Sequence, residues 1–144
     1  MAAGLTIREL TTDAEVGEAL YLMNVLRPKV DRSTFVERLA AQRAEGYRLA
    51  GGFVGGKLVV LAGFRVSCTM SRGPHLFVDD LVTEPTLKGK GYGKAMISWL
   101  RAVAVERGLP QVWLDSRETA VGFYQGVGFT FSTSRPCWID SNGR

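Results

Sequence analysis

Cysteine and histidine are scarce: the 144 residues hold two cysteines and one histidine. Cys68 and Cys137 could close one bridge but cannot make a disulfide framework, and they are expected to be free thiols packed in strands. His75 has no Cys or His neighbour at metal-ligand spacing, so no metal site is expected. A Ser-His-Asp or Cys-His catalytic unit would need His75 as its base, and no G-x-S-x-G elbow supports one. Hydrolase chemistry is therefore set aside, and His75 reads as a turn residue at the start of a strand. No run approaches the roughly 18 apolar residues of a membrane span. The opening MAAGLTIRELTTDAE turns polar and acidic too soon for a signal peptide, so a cytoplasmic location is expected. Internal repeats, low-complexity segments and linkers are also missing, which predicts a single domain over residues 1–144.

What is present is ordinary globular material, 46% hydrophobic and 22% charged. A formal charge of +4 permits an anionic partner without requiring one. The basic residues are scattered except at Lys88, Lys90 and Lys94, and no stripe with interleaved aromatics is visible, so no nucleic-acid partner is expected.

Leu5 to Leu10 alternates apolar and polar residues and predicts a strand. Thr12 and Glu15 have capping-box spacing, and Val16, Leu20, Met23 and Leu26 recur at helical intervals until Pro28. A second helix is predicted from about Ser33, burying Phe35, Val36 and Leu39 and stopping at Gly46. Tyr47 to Val54 and Lys57 to Thr69 read as a hairpin through Gly55-Gly56, and His75 to Thr83 as a third strand of that run. A long amphipathic helix follows, with Met96, Ile97, Leu100, Val103 and Ala104 as its buried stripe and Gly108 and Pro110 at its end. Gln111 to Ser116 is predicted as a strand, Glu118 to about Gly126 as a short helix, and Phe129 to Ile139 as a last strand. This order predicts a mixed α/β domain with helices on both faces of one sheet.

The segment LKGKGYGKAM, Leu87 to Met96, lies between a strand and the long helix. The first amides of a helix lack partners and, with the helix dipole, attract an anion. Gly89, Gly91 and Gly93 remove side chains from the approach, and Lys88, Lys90 and Lys94 add charge. A pyrophosphate suits this arrangement. A Walker loop fails on spacing and on Ala95, where Ser or Thr is required, and a G-x-G-x-x-G fingerprint fails at Lys94.

The run Lys88-Gly89-Lys90-Gly91-Tyr92-Gly93 resembles the pyrophosphate loop of the GNAT acetyltransferase superfamily, Arg/Gln-x-x-Gly-x-Gly/Ala. DDLVTEP before it resembles the end of that family's fourth strand, and AVGFYQGVGF after it resembles the second signature. The resemblance implies a GNAT-like α/β (α+β) fold: a mixed, mainly antiparallel central sheet of six to seven strands, splayed between the fourth and fifth, with helices on both faces. Two departures stand out. Lys88 replaces the usual Arg or Gln, keeping charge but losing the bidentate fork. Arg117 stands where many members carry Asn.

The resemblance further implies an N-acetyltransferase with acetyl-CoA as donor and a primary amine as acceptor, transferring directly. The pyrophosphate would meet Gly89, Lys90, Gly91, Tyr92, Gly93 and Lys94, with Lys88 nearby. The pantetheine arm would pair like an added strand with Leu81, Val82 and Thr83, and Phe123 would line the same site. Tyr124 occupies the family's general-acid position. Asp79 and Asp80 are candidates for the base, for holding a cationic acceptor, or for structural roles. As neighbours on a strand they are expected on opposite faces unless a bulge intervenes. The pair hints at a cationic amine such as an aminoglycoside, a polyamine or a lysine side chain. Helices one and two, with the Arg27 to Ser33 connection, are expected to form much of the acceptor site. A homodimer is possible, since dimers are common among similar proteins. Two other readings stay open: a non-catalytic acyl-CoA-binding module and, more distantly, a nucleic-acid-binding domain.

Overall fold

The computed structural model describes residues 2–143. Strand β1 (Leu5–Glu9) leads to helix α1 (Asp13–Leu26), which opens on the capping box that Thr12 and Glu15 predict. Helix α2 (Arg32–Ala44) starts one residue before Ser33, because the Asp31 carboxylate accepts from the Thr34 amide at 2.8 Å. It buries Phe35 and Leu39, as expected, but Val36 is exposed. One residue along a helix turns the side chain about 100° away from the stripe that Phe35 and Leu39 share.

Strands β2 (Arg48–Val54), β3 (Lys57–Thr69) and β4 (Gly73–Thr83) form an antiparallel meander. Helix α3 (Tyr92–Glu106), strand β5 (Val112–Leu114) and helix α4 (Val121–Gly126) complete the regular elements. The sheet has five strands in the order β1-β2-β3-β4-β5, and only the β4–β5 pairing is parallel. The expected six or seven strands are thus corrected to five. Residues 129–139 are not a strand, and Phe131, Trp138 and Ile139 are exposed. Strand β5 offers only a three-residue edge to pair with, and Pro136 lacks the amide a ladder needs. Cys137 therefore lies outside any strand, and both cysteines are exposed free thiols rather than packing residues. His75 is fully buried within β4, its Nδ1 2.8 Å from the Gly73 carbonyl oxygen, and is not a turn residue.

Two apolar layers cover the sheet. On one face Ala19, Leu22 and Met23 of α1 and Phe35 and Leu39 of α2 pack with Tyr47, Leu49 and Leu61. On the other, Met96, Ile97, Leu100 and Ala104 of α3 and Tyr124 of α4 pack with Val60, Phe64, Leu76 and Val78. Val103, expected in that stripe, is partly buried beside it.

Strand β4 changes phase along its length. Gly63 faces Asp80 and Phe64 faces Val78, so Asp79 is an extra residue, a β-bulge. Before it the even residues Leu76 and Val78 point toward α3; after it the even residue Val82 joins the α1/α2 layer.

Candidate functional site

The bulge also exchanges which backbone groups of β4 face β5. Upstream, the Leu76 amide donates to the Gln111 carbonyl at 3.0 Å, and β5 pairs with β4 only from Leu76 to Val78. Downstream, the Glu84 amide donates to the Val59 carbonyl of β3 at 2.8 Å. Backbone direction alternates along a strand, so Val82 also faces β3, while Leu81 and Thr83 turn their N–H and C=O outward. No strand among the described residues meets them there. The two strands part after Val78, as the expected splay requires.

This wedge forms part of a cavity of about 820 Å³. Leu81, Val82 and Thr83 line one wall, and Leu114, Asp115 and Arg117 another. The glycine–lysine turn closes one end with Lys88, Gly89, Gly91, Tyr92, Gly93 and Lys94; Lys90 is exposed and is not part of the lining. Gly89 and Gly91 have φ of 84° and 86°, a left-handed conformation that disfavours any Cβ. Gly91 caps α3 without a side-chain acceptor, and the Ala95 amide donates to the Gly91 carbonyl. The amides that precede Ala95 at this helix start have no such intrahelical acceptor. Gly93 serves close packing instead: a Cβ there would lie 3.2 Å from Phe123 Cζ. Phe123 reaches across from α4 and lines the same cavity.

Tyr124 also lines it. Its ring packs edge-on against Phe123 and Phe129, at 5.1 and 5.4 Å between centroids. Burial raises its pKa above the ordinary 10.0, and the nearby Arg117 guanidinium partly offsets this. The phenol therefore keeps its proton at neutral pH. Arg117 is tied back to α1, its Nη2 donating to the Leu26 carbonyl at 2.7 Å.

The bulge sends Asp79 and Asp80 to the same face, which corrects the opposite-face expectation. Arg65 donates to Asp79 through Nε and Nη2, at 2.9 Å to Oδ2 and 3.2 Å to Oδ1. Asp80 Oδ1 accepts from Arg27 Nη2 at 3.0 Å and Oδ2 from the Tyr47 hydroxyl at 2.7 Å. Arg27 Nη2 also donates to the Asp79 carbonyl at 3.0 Å, so one guanidinium holds both the bulge and the carboxylate after it. Burial is the largest influence on Asp79 and raises its pKa, against the Arg65 contacts that lower it. Gly63 makes the Tyr47 contact possible, since a Cβ there would fall 1.7 Å from the phenol oxygen.

A second cavity, of about 410 Å³, opens beneath α1 and α2. Arg27, Asp79 and Asp80 line both cavities and form the junction between them. Sequence reasoning singled out the two carboxylates but missed Arg27, Tyr47, Gly63 and Arg65 as their partners. The available signal was general: a carboxylate pair within a strand needs counter-charges, though nothing local says which arginines supply them.

The described residues include no helix long and apolar enough to cross a membrane. A family model described as Acetyltransferase (GNAT) family matches residues 17–129. The chain is 32% identical over 132 residues to the uncharacterized N-acetyltransferase YhdJ of Bacillus subtilis, covering 88% of this chain and 93% of that protein. An acetyltransferase of Trypanosoma brucei superposes with a TM-score of 0.74 at 25% identity, covering 94% of this chain and 99% of the other. An aminoglycoside N-acetyltransferase solved in complex with CoA shares the fold at a TM-score of 0.80 and 14% identity, covering 95% of each chain.

Proposed function

The chain belongs to the acetyltransferase (GNAT) family and is an acyltransferase, and from that premise we propose that it carries an acetyl group from acetyl-CoA directly to a primary amine, with residues 1–144 as one catalytic domain. The observation that carries this reading is the junction of two cavities at Arg27, Asp79 and Asp80. One cavity ends in a helix start rich in free amides; the other lies under α1 and α2.

Acetyl-CoA, when bound, supplies an acetyl group activated as a thioester. The chain's residues fit it. The amides from Gly89 to Lys94 and the charges of Lys88 and Lys94 suit a pyrophosphate, while Lys90 adds only a more distant charge. The outward backbone of Leu81 and Thr83 offers strand-like pairing to an amide-bearing arm, and the side chains of Val82 and Phe123 add apolar wall.

In the transfer a C–N bond forms as a C–S bond breaks; one proton leaves nitrogen and one reaches sulfur. Tyr124 is the proton donor, because its buried phenol stays protonated and opens onto the donor cavity. Asp79, whose raised pKa brings it closer to neutrality, takes the proton from the amine directly or through water. Asp80 has an oxygen committed to Arg27 and the other to Tyr47, so it acts as a positioning residue that fixes the bulge.

The test is thiol release from acetyl-CoA over a panel of amines, after a thermal-shift assay with acetyl-CoA alone. A stabilising shift followed by amine-dependent thiol release is expected. A shift with no release for any amine would leave an acyl-CoA-binding module instead. An acetyl group trapped on Cys68 or Cys137 would overturn direct transfer.

A further inference from the structure

The second cavity carries a charge pattern that the acidic pair alone does not suggest. Its charged lining is Arg27, Arg38, Asp79 and Asp80, and Arg65 stands behind Asp79. Both carboxylates are already committed: Asp79 to Arg65, and Asp80 to Arg27 and Tyr47. Three guanidiniums thus face two carboxylates. One amine nitrogen can still share the paired carboxylates, but the additional charges of a polyamine or aminoglycoside would find no further anion in the lining and would meet arginine.

Arg38 is the lining cation with no counter-ion or hydrogen-bond acceptor among the described residues. It projects from α2 on the helix face that also carries Phe35, Leu39 and Gln42, all of which line the cavity. The remaining wall comes from Met23, Val30, Ala41 and Tyr47, whose hydroxyl is engaged by Asp80. A volume of about 410 Å³ falls within the range of small-molecule sites. A guanidinium that is unpaired while the other charged groups of the lining are paired with one another or with Arg65 is a fork for a carboxylate or a phosphate.

We propose that the acceptor is a small primary amine bearing an anionic group, carboxylate or phosphate, with its nitrogen at the Asp79–Asp80 junction and its anion on Arg38. The proposal rests on the acetyltransferase reading above and narrows its substrate class.

The experiment measures kcat/KM for acetyl-CoA-dependent acetylation of paired amines. The pairs are an amino acid against its amide and an amino-sugar phosphate against the free amino sugar, with spermidine as the polycation. At least one anionic member should exceed its uncharged partner by about tenfold, with spermidine below both. Arg38→Gln should remove that preference through KM with little change in kcat, and Arg38→Glu should invert it toward spermidine. Arg38 is exposed, so both variants should keep the parent thermal midpoint.

Acetylation that favours uncharged amines or spermidine overturns the anionic class while leaving the acetyltransferase reading intact. A preference that survives Arg38→Gln removes Arg38 as its source, and with it the proposal. Turnover of no amine by a protein that still binds acetyl-CoA overturns both readings.

Discussion

Replacing Gly63 by alanine tests the bracing of the carboxylate pair most directly. The new Cβ would lie 1.7 Å from the Tyr47 hydroxyl oxygen and 2.3 Å from its Cζ, so the ring must move. Moving it breaks the 2.7 Å hydrogen bond to Asp80, whose side chain is only 11% exposed. A hydrogen bond to a charged group contributes about 1.5–3 kcal/mol. Forcing a methyl into a filled site adds about 1–3 kcal/mol of strain. The variant should therefore lose about 2.5–6 kcal/mol, a drop in melting temperature of roughly 8–20 °C for a domain of this size. Urea unfolding of wild type, Gly63→Ala, Tyr47→Ala and the double variant provides the assay. In the Tyr47→Ala background the methyl has room, and Gly63→Ala should cost less than about 1 kcal/mol there. An equal cost in both backgrounds would show that the alanine acts on the strand itself, and the bracing argument would fail.

Tyr124→Phe should lower kcat by about 10²–10⁴-fold with little loss of stability; an unchanged rate across the pH range would remove Tyr124 as the proton donor. Burial, then the charge and hydrogen bond of Asp80, push the Tyr47 pKa well above 10.0. Below pH 10 the native and unfolded chains both keep that proton, so this contribution to stability is complete. Above it the unfolded chain ionises first and holds fewer protons, so stability falls as pH rises. Tyr47→Phe should flatten this alkaline decline by about 1.4 kcal/mol per pH unit, read from urea midpoints between pH 9 and 11. Gly91→Ala should cost about 1–2 kcal/mol, since its φ of 86° is left-handed, and should reduce the thermal shift expected on adding acetyl-CoA.

Local chemistry made much of this fold readable from the sequence. The α1 capping box, the Gly55-Gly56 hairpin and the glycine turn before α3 depend on neighbouring residues, and each lies where its residues predict. Phe129 to Ile139 departs from the expected strand because a strand also needs a partner, and the alternation of its first residues has none to pair with. The lining of the cavity of about 820 Å³ comes largely from contiguous segments, from Leu81 to Lys94 and around Tyr124, so the sequence brings many of these residues together before the fold is known. The braces of the carboxylate pair come instead from α1, Gly46's neighbour Tyr47, and β3. Arg27 is separated from Asp80 by 53 positions, and no periodicity links them. Nothing in the sequence around Arg38 marks it either, because the cavity it lines is built with residues of α1 and β4 and with Tyr47, just before β2.

The bulge at Asp79 has a consequence for which length changes the chain can tolerate. Because β4 serves one layer before that residue and the other layer after it, the two halves are locked by a count of residues rather than by any one identity. Deleting Asp79 would restore unbroken alternation and leave Leu76, Val78 and Val82 on their present faces, but it would remove the bulge and one of the paired carboxylates with it. An insertion that the bulge does not absorb would instead move either Val82 out of the α1/α2 layer, or Leu76 and Val78 out of the α3 layer. An insertion at the exposed Gly55-Gly56 turn disturbs no such count. Length variation should therefore be accepted at the hairpin tip, whereas at the bulge a one-residue loss keeps both layers but abolishes the paired carboxylates, and a one-residue gain threatens one layer.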